Sequence, residues 1–203
     1  VGAKKRFAFE NLFLLQLNNL EAQMRLAKEP ALKMEFPQEE LSRMIQQLPF
    51  RLTGSQKTSL EEIAADLAGK KPMNRLLQGD VGSGKTVIAA VAALISAKNN
   101  AQTAFMAPTE VLTGQHYRTI TSIFKAYTNK FHGGIALLTA NKNELTYGEK
   151  SDDKISKAKL LKEIEAGNAQ IIIGTHAVIQ KGVKFKNLAL AIVDEQHRFG
   201  VQQ

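Results

Sequence analysis

Gly79-Asp80-Val81-Gly82-Ser83-Gly84-Lys85-Thr86 is the stretch on which the fold turns. It fits G-x-x-x-x-G-K-[ST], the pattern of a phosphate-cradling loop. A polyphosphate carries several negative charges that must be held without a crowd of side chains. Three glycines let the backbone turn tightly and point its N–H groups inward as an anion nest. The helix expected near Lys85 adds the positive end of its dipole. Lys85 supplies a mobile point charge for the outer phosphates and Thr86 a hydroxyl for Mg²⁺. All eight residues are candidate nucleotide ligands.

Working outward, Arg75-Leu76-Leu77-Gln78 reads as a short strand, and Val87 to Ile95 is an apolar, alanine-rich run. Strand, loop and buried helix is the context the pattern requires. Beyond it, strands are expected at 102–107, 134–139, 170–173 and 188–193, with helices over 111–127 and 158–166 between them. This alternation predicts an α/β fold with a mainly parallel sheet covered on both faces. Ligands of such sheets lie at the carboxyl ends of the strands, where Thr109, Thr175 and Asp194 fall. Residues 140–157 are polar with balanced charges and read as a solvated loop.

Upstream, Thr53 with Gln56 three residues later reads as a capping box opening a helix that Gly69 stops. The Gln56 amide also offers the donor and acceptor that adenine's N6/N7 edge needs, so two readings stand. Residues 6–28 predict a long helix whose stripe, Phe9, Phe13, Leu17, Leu20, Met24 and Ala27, packs on the main domain or on a neighbour outside this chain, plain core being the favoured reading. A second short helix is expected from Pro37, with Leu41, Met44, Ile45 and Leu48 inward.

Asp194 and Glu195 follow an apolar strand. Adjacent carboxylates there are costly unless a cation or a reaction uses them. Asp194 is expected to hold Mg²⁺ jointly with Thr86, and Glu195 to orient or deprotonate an attacking water. Gln196 and His197 are placed to sense the γ-phosphate.

The 203 residues include 44% hydrophobic ones, enough for a buried core. No apolar run reaches membrane-spanning length, and no signal-peptide cleavage pattern follows the basic start. Without cysteine there are neither disulfides nor thiolate metal sites, which fits a cytoplasmic protein. A net charge of +8, from 27 basic and 19 acidic residues, suits a polyanion such as nucleic acid. Lys181, Lys184 and Lys186 belong to that surface or to a plain solvated face. The chain reads as part of a longer one.

Taken together, these residues resemble the first motor domain of superfamily 2 helicases, and within them the RecG family. The resemblance rests on Leu48 to Thr53 with Gln56, Met73 to Thr86, Ala107-Pro108-Thr109-Glu110-Val111-Leu112, Gln115-His116-Tyr117, Gly174-Thr175-His176-Ala177 and Asp194 to Val201. It implies a RecA-like, three-layer P-loop domain over 49–203 and a helical extension over 1–48. It implies ATP and Mg²⁺ as ligands, with Lys85, Asp194 and Glu195 catalytic and Gln56 reading adenine. Thr109 and Thr175 would contact the DNA backbone, ordinary helix capping being the other reading of both. Gln196, His197, Arg198 and Phe199 would couple the two sites. The partners implied are branched double-stranded DNA (forks and Holliday junctions) and the wedge and second motor domains of a monomeric chain. A transcription–repair coupling translocase shares most of the pattern, and a non-motor P-loop module is the remaining alternative.

Overall fold

The computed structural model describes residues 2–48, 50–80, 82–126 and 133–195. Helix α1 (Gly2–Leu26) comes first, then α2 (Gln38–Gln46), α3 (Gly54–Leu67) and α4 (Lys85–Lys98). Strand β1 (Gln102–Met106) follows, then α5 (Glu110–Ala126), β2 (Gly134–Leu138), β3 (Asn143–Tyr147) and β4 (Lys150–Asp152). The chain continues through α6 (Lys157–Ala166), β5 (Ala169–Gly174), a 3₁₀ turn at His176–Ile179 and β6 (Leu188–Val193).

The strands form one sheet in the order β4-β3-β2-β5-β1-β6. β2, β5, β1 and β6 run parallel, with Met106 level with both Gly174 and Val193. Successive side chains of a strand face opposite sides, and here each side has its own core. Phe105, Ile135, Leu137, Ile171 and Ile173 pack with α2 to α5, and Ala104, Ala136, Leu138 and Ile172 pack with α6. The fully buried isoleucines of β5 show why a central parallel strand reads as a continuous apolar run. At its end, a Cβ on Gly174 would lie 2.2 Å from the Leu138 carbonyl oxygen, so only glycine lets β5 leave the sheet there.

Three expectations need correction. Residues 140–157 are not a solvated loop: they add an antiparallel hairpin to the sheet, with Leu145 and Thr146 buried. Gly148, at φ 55°, takes the first position of its two-residue turn, the conformation that matches strand twist. Polar composition hid it, because Thr146 is satisfied inside by the Tyr117 hydroxyl at 2.7 Å. Residues 75–78 form no strand. Arg75 turns instead to Asp66 and Glu62 on α3, and Leu76 is 82% exposed. The α1 stripe is not core either: every side chain from Lys5 to Pro30 is exposed. Periodicity identifies an apolar face without saying what covers it.

The second helix matches its reading, with Pro37 at the N-cap and Leu41 and Met44 buried. Met34 joins the same core and its N–H bonds the Leu67 carbonyl, which ties the chain after α1 to the end of α3. None of the described helices is long and apolar enough to cross a membrane.

Candidate nucleotide site

The glycine loop ends on α4, whose residues from Ala90 to Ala97 are all buried. A helix packed this firmly gives the loop a fixed base. Gly82 and Gly84 have φ of 81° and 80°, the left-handed region where a side chain would be strained. The Ser83 N–H closes the turn on the Asp80 carbonyl at 3.1 Å. Gly84 is the N-cap of α4, so the unpaired N–H groups of the first turn face the same side as the loop. Lys85 Nζ donates to the carbonyls of Gly79 and Asp80, both at 2.8 Å, leaving one of its three N–H donors for another acceptor. Val81 lies outside the described residues.

Gln56 performs the predicted cap and more. The Thr53 N–H donates to its Oε1 at 2.8 Å, and the Gln56 N–H donates to Thr53 Oγ1 at 3.3 Å, which completes the capping box. Its Nε2 donates to the Ser83 carbonyl at 2.7 Å. One amide thus joins the start of α3 to the glycine loop. An amide has two N–H donors and two lone pairs on oxygen. One of each is used, and one of each remains for an adenine edge.

Across the cleft, the Asp194 N–H bonds the Met106 carbonyl at 2.9 Å, which fixes Asp194 just beyond the ends of β1 and β6. Its Oδ2 accepts from Nε2 of His116 at 2.7 Å. The other ring nitrogen of His116 lies 3.4 Å from Thr86 Oγ1. Thr86 and Asp194 therefore sit at opposite ends of one imidazole. A hydroxyl and a carboxylate are hard oxygen donors of the kind Mg²⁺ takes, with phosphate oxygens and water filling the other positions. The two residues expected to share the cation fit it. Glu195 follows with φ 53°. A non-glycine residue in this region stores strain and is worth examining as a functional residue.

The two threonines differ. Thr109 caps α5: its Oγ1 accepts from the Leu112 N–H at 3.3 Å, and its exposed side chain stands at the end of β1. Thr175 follows β5, and its side chain makes no cap to the 3₁₀ turn. Because β5 and β6 flank β1, Thr109, Thr175 and Asp194 leave the sheet on one edge. Gln196, His197, Arg198 and Phe199 lie outside the described residues. Lys181, Lys184 and Lys186 are exposed, and Lys184 is 3.7 Å from Glu165.

Sequence reasoning gave His116 no role. Its signal was present: a histidine two turns into the helix that follows β1, on the buried side of that helix. Its ring lies 4.8 Å from that of Phe105 on β1.

The DEAD/DEAH box helicase family model matches residues 53–203. The chain belongs to that family. It is 43% identical over 199 residues to the ATP-dependent DNA helicase RecG of Aquifex aeolicus. It is 42% identical over 203 residues to the RecG of Bacillus subtilis. These alignments cover 98% and 99% of this chain but 23% and 28% of those proteins. The solved structure of RecG bound to a three-way DNA junction is also similar, with a TM-score of 0.79 and 40% identity. That match covers 97% of this chain and 25% of the RecG chain. The chain thus spans about a quarter of the length of the relatives it matches.

Proposed function

We propose that residues 49–203 are the ATP-binding motor half of an ATP-dependent DNA helicase of RecG type. Residues 1–48 would be its helical extension, and the whole protein would act in the cytoplasm on forks and Holliday junctions. One observation carries the reading: the hydroxyl beside the phosphate loop and the carboxylate beyond β6 meet on one imidazole. A P-loop with no partner carboxylate would only bind; with one it can hydrolyse.

The roles follow from position. The glycine loop and the first turn of α4 hold the phosphates through N–H groups. Lys85 exchanges its two carbonyl contacts for phosphate oxygens. Gln56 spends its free N–H and lone pair on adenine. Mg²⁺ would supply positive charge there to offset the charge that develops during transfer. Thr86 and Asp194 hold it. Glu195 orients the attacking water or accepts its proton. Thr109, backed by the N-terminus of α5, and Thr175 contact DNA phosphates on the neighbouring strand ends. Gln196 to Phe199 carry the signal between the sites. The similarity to a RecG seen on a junction supports branched DNA as the substrate.

The test is Lys85→Ala in the full-length protein, with DNA-stimulated ATP hydrolysis as the readout. Loss of stimulated hydrolysis is expected, and an unchanged rate refutes the assignment of the loop. In trans-supplied form, an arginine from a second domain contributes about 10³ to 10⁵ in rate. The 203-residue piece on its own is therefore expected to bind nucleotide weakly and hydrolyse little.

A further inference from the structure

We propose that His116 is a positioning residue. It sets the direction of both protein ligands of the cation, and it ties their arrangement to the helix that carries Thr109. The inference rests on the ATP-motor reading above and goes beyond it.

The ring is held from three sides. Phe105 packs beneath it, Asp194 lies on Nε2 and Thr86 on Nδ1. Its side chain is only 12% exposed. One tautomer satisfies both polar contacts: Nε2–H donates to the carboxylate, and Nδ1 accepts the threonine O–H. The threonine hydrogen then points at His116, and the lone pairs of Oγ1 turn away from the ring. Likewise Oδ2 of Asp194 is engaged, and Oδ1 is left for a cation or its water. A metal ligand is oriented by what holds its other side, and such outer partners typically govern metal affinity by 10- to 100-fold. Here one imidazole would do this for two ligands on two separate elements, α4 and the end of β6.

The second half of the inference comes from the helix. His116 is the seventh residue after Thr109, the N-cap of α5. Seven residues advance about 10 Å and return to within about 20° of the same face. The proposed DNA contact and the imidazole thus share one side of one rigid rod. A shift of Thr109 against a phosphate moves His116, and through it the geometry of Thr86 and Asp194. This path runs through α5 and is separate from the segment after Glu195.

The test uses the full-length protein and a fluorescent ATP analogue. His116→Phe keeps a ring against Phe105 and removes both nitrogens; His116→Ala removes the packing as well. Binding in EDTA should match the natural protein in both variants. The Mg²⁺ concentration for half-maximal tightening should rise about tenfold or more in both. The environment of Mn²⁺ in the complex, read by electron paramagnetic resonance, should change in parallel. His116→Gln, whose amide N–H can reach Asp194, should recover most of the loss. Forked DNA should shift the Mg²⁺ midpoint of the natural protein and leave that of His116→Phe in place. An unshifted midpoint in folded His116→Phe, or in His116→Ala if Phe is not accommodated, overturns the proposal. Lys85→Ala run alongside separates the two readings. If it binds the analogue normally, the motor reading fails. If it does not bind while His116→Phe behaves as the natural protein, only the inference about His116 fails.

Discussion

Gln102 offers a measurement that the structure sets almost completely. It opens β1 and is 1% exposed. Its Nε2 donates to the carbonyls of Ile164 at 2.8 Å and Ala169 at 2.7 Å, and its Oε1 accepts from the N–H groups of Lys186 at 2.8 Å and Asn187 at 3.0 Å. All the hydrogen-bonding capacity of one amide is in use. Gln102→Met keeps length and approximate volume and removes all four bonds. The Ile164 carbonyl retains the Gly167 N–H at 3.0 Å, so it loses little. The N–H groups of Lys186 and Asn187 lose their acceptor, at about 1–3 kcal/mol for each donor left unsatisfied. Both contacts are only partly buried, so water recovers part of this, and about 3 kcal/mol is expected for the local structure. At about 1.4 kcal/mol per factor of ten, amide exchange at residues 186 and 187 should accelerate roughly a hundredfold. Hydrogen exchange read by mass spectrometry over residues 183–190 reports it in the full-length protein. The matter reaches function because this connection delivers β6 and, at its end, Asp194. Exchange over those residues that is the same in Gln102→Met as in the natural protein would refute the accounting.

Gln56→Ala should lower the preference for adenine over guanine nucleotides by ten- to a hundredfold, the worth of one two-pronged amide contact. It should also cost about 1 kcal/mol through the lost bond from the Thr53 N–H to its Oε1, the Thr53 cap itself remaining; nucleotide competition and a urea titration read the two effects. Glu195→Gln should cut DNA-stimulated hydrolysis by about 10² to 10⁴ while ATP binding persists, and hydrolysis within a few-fold of normal would remove Glu195 from the chemistry. Burial pushes the Tyr117 hydroxyl up to about 12, from its ordinary value of 10.0. Its folded value exceeds its unfolded one, so the stabilisation is whole below pH 10 and is lost as pH rises through about 12. Tyr117→Phe should therefore flatten the alkaline fall in stability over that window, and near-ultraviolet tyrosinate absorbance should lose one late-titrating component while that of Tyr147, also raised by burial, remains.

Much of this architecture could be read from residues alone because the physics is local. The glycine pattern demands a tight loop, and its apolar sequel demands a buried helix. Continuous apolar runs such as Ile171-Ile172-Ile173 fit strands covered on both faces, and β6 has the bounds expected of it. What failed was set by distant partners. Arg75 left the strand pattern for carboxylates on α3. Thr146 looked solvated until Tyr117, twenty-nine positions earlier, satisfied it. The site followed the same rule. The phosphate loop and the acidic pair are each visible as short patterns. His116 is a single residue whose meaning comes from Thr86 and Asp194, 30 and 78 positions away. No spacing rule links three such elements.

The outer border of the sheet has a practical consequence. Among the described residues β6 pairs with β1 alone. Leu188 and Val193 are each 46% exposed on it, and a cavity of about 340 Å³ separates it from residues 71–75. A row of unpaired backbone groups flanked by greasy side chains invites another strand. Concentrated stocks of the excised piece should accordingly cloud and stick edge to edge, and a lysine at Val193 should keep them clear.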